Sequence, residues 1–278
     1  MRLGYNTNGL AHHRVLDAIA LLADEGYESV ALTIDPGVLD PFDDPGAFRR
    51  QIHDVSLALD HAGLSRVIET GGRYLLNPRR KHDPTLMEAD PDRRGVRIEF
   101  LRRAIDIADE LQADAVSLWS GALTDTITEE QALDRLVEGL KVVLEHAESR
   151  DVVIGFEPEP GMFIDTMARF VKLDERIRHP LFQLTLDLGH LHCVEIDAEA
   201  DIVTRFGPRI VNVHIEDMRR GVHDHLMFGD GTMDFAPILR ALREIGYAGG
   251  LNVELSRHSH IAVDAVQRSA AYLLPYLT

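Results

Sequence analysis

Four short apolar runs each end in a side chain that can bind a proton or a metal. VVIGFE closes on Glu157, FQLTLD on Asp187 and GLNVEL near Glu254, while IVNVHI carries His214. A buried strand has no structural use for an unpaired acid at its end. Within these runs the polar residues fall at alternate positions: Gln183, Thr185 and Asp187; Asn212 and His214; Asn252 and Glu254. Val153, Gly155 and Glu157 form the equivalent row. Successive side chains of a strand alternate faces, so each row can point one way while its apolar neighbours pack the other way. Four adjacent strands would then aim three carboxylates and one imidazole at a single point. Three acids so placed repel unless a cation lies among them. An oxygen-rich set with one imidazole suits one divalent metal ion, Mn²⁺ first, with Mg²⁺, Co²⁺, Fe²⁺ and Zn²⁺ as alternatives. Taken singly, each residue is explained as well by a helix cap or a surface salt bridge. The matching positions favour a shared site.

The elements that must position these residues are legible along the whole chain. RLGYN, SVALTI, SRVIE and DAVSLW complete a set of eight β-rich runs. Between them lie amphipathic stretches such as Val15, Leu16, Ile19 and Leu22, or ALDRLVEGLKVVLEHA. Eight strands each followed by a helix predict an α/β fold with a parallel sheet. The 278 residues suit a single (β/α)8 TIM-barrel domain spanning 1–278. An open doubly wound sheet is disfavoured, since no G-x-G-x-x-G follows the first strand and no Walker-type loop occurs. In a barrel, sites form at the C-terminal strand ends, where the four ligating residues fall. Two long connections, residues 70–92 and the segment EDMRRGVHDHLMFGDGTMDF, belong to the same face. Glu69 and Trp119 end the third and fourth runs and are candidate substrate contacts, the tryptophan as a wall for a sugar ring.

A formal net charge of −17 argues against a nucleic-acid partner, whose phosphates are held by clustered Lys and Arg. Cys193 is the only cysteine, which suits a reducing, cytoplasmic setting. The N-terminal residues lack a signal-peptide pattern, and no apolar run has the length of a membrane span. A small-molecule partner is the expectation, and association into a homo-oligomer is left open.

Together FEPEPG, LTLDLGH, VNVHIEDM, FGDGTMDF and LNVEL resemble the xylose-isomerase-like TIM barrels of the sugar phosphate isomerase/epimerase family. The resemblance implies that Glu157, Asp187, His214 and Glu254 hold the metal, and that Glu157 and Glu254 also serve as acid and base. It implies that His190 contacts substrate oxygens and that Arg220 binds substrate. Ketose 3-epimerases of this superfamily carry a further acid six residues after the first metal glutamate, where this chain has Phe163. The endonuclease IV branch, with three zinc ions, is matched at His225, while His223 replaces an aspartate ligand. Glu69 and Trp119 stand where that branch has histidines. His223 and His225 are therefore candidates for a second metal, the plainer alternative being a solvated turn.

The expected activity is a divalent-metal-dependent isomerase or epimerase of a sugar or polyol ketone, phosphorylated or not. It would proceed by proton abstraction next to a carbonyl and a metal-stabilised enediolate. The alternatives are a metal-dependent dehydratase or lyase of the inosose or dehydroshikimate type, and a non-catalytic sugar-binding barrel.

Overall fold

The computed structural model describes residues 1–277. Eight parallel strands close into a barrel: β1 (Arg2–Asn6), β2 (Ser29–Thr33), β3 (Ser65–Glu69), β4 (Val116–Trp119), β5 (Ile154–Glu157), β6 (Phe182–Asp187), β7 (Ile210–Ile215) and β10 (Gly250–Val253). Two further strands, β8 (Asp217–Arg219) and β9 (Val222–Leu226), form an antiparallel hairpin beyond β7. The barrel order is β1-β10-β7-β6-β5-β4-β3-β2, so β1 and β10 close the ring. The outer layer comprises α1 (Val15–Asp24), α2 (Pro45–Ala62), α3 (Pro91–Leu111), α4 (Glu129–Arg150), α5 (Met167–Ile177), α6 (Leu188–Val194), α7 (Glu199–Phe206), α8 (Phe235–Glu244) and α9 (Ala262–Leu277). This is the expected (β/α)8 TIM-barrel architecture.

Local sequence sets the element ends. Thr128 and Gln131 cap α4 reciprocally, each side chain accepting the other's backbone N–H. Asp44 accepts from the N–H groups of Gly46 and Ala47, and Gly63 ends α2 at φ +67°. The outward faces of the strands supply the apolar layer under the helices: Leu184 and Leu186, Val213 and Ile215, Leu251 and Val253 are buried in one core. The inward faces carry small and polar residues together with a separate apolar cluster of Ala31, Val67 and Ala115, packed by Val153 and Val211. Gly155 is needed there, since a Cβ would lie 2.4 Å from Thr185 Oγ1. Gln183 departs from the expected inward row: its side chain is half-exposed and binds Pro180 O and Arg209 at the lower rim.

The long connection after β3 is well pinned. Arg97 of α3, a buried side chain, donates to Pro84 O at 2.7 Å and His82 O at 2.6 Å. Arg93 pairs with Asp83 and Glu88, and Leu86 and Met87 enter the core. The segment is thereby fixed over the C-terminal mouth of the barrel.

Candidate active site

Glu157 and Asp187 are the last residues of β5 and β6, His214 lies one residue from the end of β7, and Glu254 follows β10. The parallel ladder sets Asp187 level with His214, and His214 level with Asn252. One ligand atom from each of Glu157, Asp187, His214 and Glu254 lies within 4.8 Å of the other three. His214 Nδ1 stands 2.9 Å from Glu254 Oε2, 3.2 Å from Glu157 Oε1 and 4.0 Å from Asp187 Oδ2. Asp187 Oδ1 accepts the backbone N–H of His190 at 2.8 Å, capping α6. Its Oδ2 is buried and makes no hydrogen bond among the described residues. A buried carboxylate oxygen without a donor, facing two other carboxylates and a ring nitrogen, fits a cation site.

The electrostatics carry the same tension. Burial pushes the Glu157 carboxyl up to about 8, against the pull of His214. Burial would raise Glu254 as well, but the neighbouring histidines outweigh it and hold that group well below the carboxylate range. For His214, burial favours the neutral ring, yet Glu69, Glu157 and Glu254 together keep its pKa well above the ordinary value. Glu159, facing the same cavity, is raised well above its usual range by burial and then by Glu157.

Around this centre lies a cavity of about 250 Å³. Asn8, in the turn after β1, donates to Glu254 Oε1 at 2.8 Å. Of the residues expected at the site, His190, Glu69 and Trp119 all line the cavity, as do His223 and His225. Trp119 meets the His82 ring edge-on at 5.2 Å. Arg73, Lys81 and Arg257 bring positive charge to the rim; Arg73 pairs with Asp35, and Arg257 with Asp224. Arg220 is not brought to the cavity. It sits on the tip of the β8–β9 hairpin, where its guanidinium donates to Glu195 O at 2.8 Å and pairs with Glu199 at 3.4 Å. The hairpin turn directs this side chain back onto the segment between α6 and α7, away from the barrel axis.

A second cluster lies alongside. His223 Nε2 is 3.0 Å from His190 Nε2 and 3.2 Å from His225 Nε2, so three ring nitrogens share one spot. Behind them Glu216, wholly buried, lies 3.7 Å from His225 Nδ1, with both oxygens free of hydrogen bonds among the described residues. Sequence reading missed Glu216, although it extends the alternating row Asn212, His214 by one step. Asn8 left no such signal, because a short 3-10 turn places it.

The model for "Xylose isomerase-like TIM barrel" matches residues 19–276. L-ribulose-5-phosphate 3-epimerase UlaE of Escherichia coli (strain K12) is 25% identical over 243 residues, covering 86% of this chain and 81% of that protein. UlaE of Shigella flexneri serotype 5b is 25% identical over 195 residues, 69% of this chain and 68% of the relative. In structure, the chain superimposes on an L-ribulose 3-epimerase with TM-score 0.79 at 20% identity, covering 99% of this chain and 94% of the other. The IOLI protein with a binding zinc atom gives TM-score 0.78 at 17% identity, covering 100% and 98%. At these identities the structural matches establish the shared fold. The chain belongs to the xylose isomerase-like TIM barrel family.

Proposed function

We propose that this protein is a divalent-metal-dependent epimerase or isomerase of a ketose or related polyol ketone. The observation that carries the reading is the convergence of Glu157, Asp187, His214 and Glu254 at the C-terminal mouth of the barrel. A divalent cation held by these four residues would polarise a substrate carbonyl and screen the negative charge that develops.

The rest of the work falls to the side chains. Glu157 ends β5 and Glu254 follows β10, with β6 and β7 between those strands, so the two approach the site from its two sides. One carboxylate takes the proton from the carbon next to the carbonyl. The C–H electron pair forms the new C=C bond, and the carbonyl π pair moves onto oxygen. The other glutamate returns a proton to the opposite face of that carbon, the C=O reforms, and the stereocentre is inverted. Asn8 fixes the orientation of Glu254 through its 2.8 Å hydrogen bond. His190 is placed to donate to a substrate oxygen, and Trp119 with His82 walls the cavity. Arg73, Lys81 and Arg257 suit a substrate with an anionic end, in keeping with relatives named for a phosphorylated ketose. The same relatives favour epimerisation over dehydration. The test is incubation of Mn²⁺-loaded protein in D2O with L-ribulose 5-phosphate, L-ribulose and D-allulose. Deuterium incorporation at C3 with epimer formation is expected; no exchange with any of the three would contradict the reading.

A second metal is also part of the proposal. Its support is the meeting of three imidazole Nε2 atoms from His190, His223 and His225, a ligand set that suits Zn²⁺ or Fe²⁺.

A further inference from the structure

Glu69 ends β3, which stands diametrically opposite β7 in the eight-stranded ring. Its side chain is almost wholly buried and crosses the barrel to the far face of the His214 ring. His214 Nε2 lies 2.8 Å from Glu69 Oε1, while His214 Nδ1 faces Glu157 and Glu254. The same Glu69 oxygen accepts from Asn212 Nδ2 at 3.0 Å. Asn212 is itself oriented, because its Oδ1 accepts from Asn252 Nδ2 at 2.9 Å. A chain of hydrogen bonds thus runs from β10 through β7 to β3 and ends on the imidazole. With Nε2–H donating to Glu69, a neutral ring carries its lone pair on Nδ1, which faces the carboxylates of Glu157 and Glu254.

We infer that Glu69 is a positioning residue for the metal: it holds the Nε2–H of His214 and so aims the Nδ1 lone pair into the carboxylate cluster. Carboxylates behind metal-binding imidazoles fix the tautomer and raise ligand basicity, and losing one costs about 10- to 100-fold in metal affinity. The inference rests on the metal reading above but not on the choice of substrate.

The test is Co²⁺ binding to the full chain, with wild type and Glu69 variants all carrying His223→Ala and His225→Ala so that only the Glu157 centre is read, followed by the visible spectrum of the bound ion and by competition with a chromogenic chelator. Glu69→Ala removes the acceptor and is expected to weaken Co²⁺ binding about 10- to 100-fold and alter the visible bands. Glu69→Gln keeps an acceptor oxygen but loses the charge, and should fall between Glu69→Ala and wild type; it carries the test alone if Glu69→Ala does not fold. Wild-type affinity and spectrum in these variants would overturn the inference, even if activity falls, since a pure substrate contact would raise KM and leave Co²⁺ binding alone. A wild-type protein that binds no Co²⁺ would overturn it together with the metal reading. Tight Co²⁺ binding that weakens in the variants, in a protein inactive on ketoses, would support the inference and remove only the proposed activity.

Discussion

At the scale of single residues, the centre is a set of groups that are badly matched unless a cation joins them. Glu157 shows this most clearly, because its neutral form is favoured in the metal-free fold. A carboxyl whose folded pKa lies above its unfolded value contributes stability that is complete below about 4.5 and is lost as pH rises through about 8. The chelated Glu157→Gln variant, neutral and nearly isosteric, should therefore gain on chelated wild type across that window. Paired thermal melts at pH 5 and pH 8 would show it; a difference independent of pH would contradict the assignment. With metal present the order should reverse, since the variant gives up a ligand. Three of the four clustered positions were legible as strand-ending acids and the fourth as an alternating histidine. Arg220 was legible only by its distance from His214, and spacing alone could not show that the hairpin turns it away.

At the scale of elements, the segment after β7 supplies what the barrel strands cannot. His223 and His225 are two residues apart on β9 and so share a face, which brings both beside His190. The hairpin is anchored by Asp217, whose carboxylate accepts backbone N–H groups from Met218, Gly229, Gly231 and Met233 at 2.9–3.1 Å. Asp217→Ala would strand four donors, and we expect a loss of about 2–4 kcal/mol. Chemical denaturation would measure it, and a loss below about 0.5 kcal/mol would contradict the anchoring role. This hairpin was not legible in the sequence. A three-residue strand is too short to show a period of two, and its register depends on Asp217 contacts up to sixteen residues away. The β3–α3 connection was legible as a long, proline-rich segment, but its fixation by the buried Arg97 guanidinium was not, because that side chain reads as a surface cation on an amphipathic helix.

At the scale of the whole molecule, the barrel gathers residues from Asn6 to Arg257 around one cavity, and metal binding should therefore be felt by the entire fold. A ligand at 100 times its Kd adds about 2.7 kcal/mol to the stability of a fold that binds it. For a chain of this size that corresponds to roughly 5–10 °C in Tm. Stripping the metal should lower Tm by that order, and adding Mn²⁺ should restore it; a melt indifferent to both would contradict a metal held by the folded state alone. The alternation of strands and helices made the barrel itself readable, because every strand needs one apolar face for the helices. Cross-barrel contacts such as Glu69 to His214 span 145 residues and follow only from closure of the ring.

The most direct measurement is the metal content of protein purified without chelators or a metal-affinity tag, compared by mass spectrometry with a Glu157→Gln, Asp187→Asn double variant. Two equivalents of divalent metal are expected in the wild type, one at the Glu157, Asp187, His214 and Glu254 centre and one at the three histidines, with the first lost in the variant. A single equivalent lost in the variant would keep the central claim and remove the second site. No bound metal in the wild type, even after incubation with Mn²⁺, Co²⁺ or Zn²⁺, would contradict it.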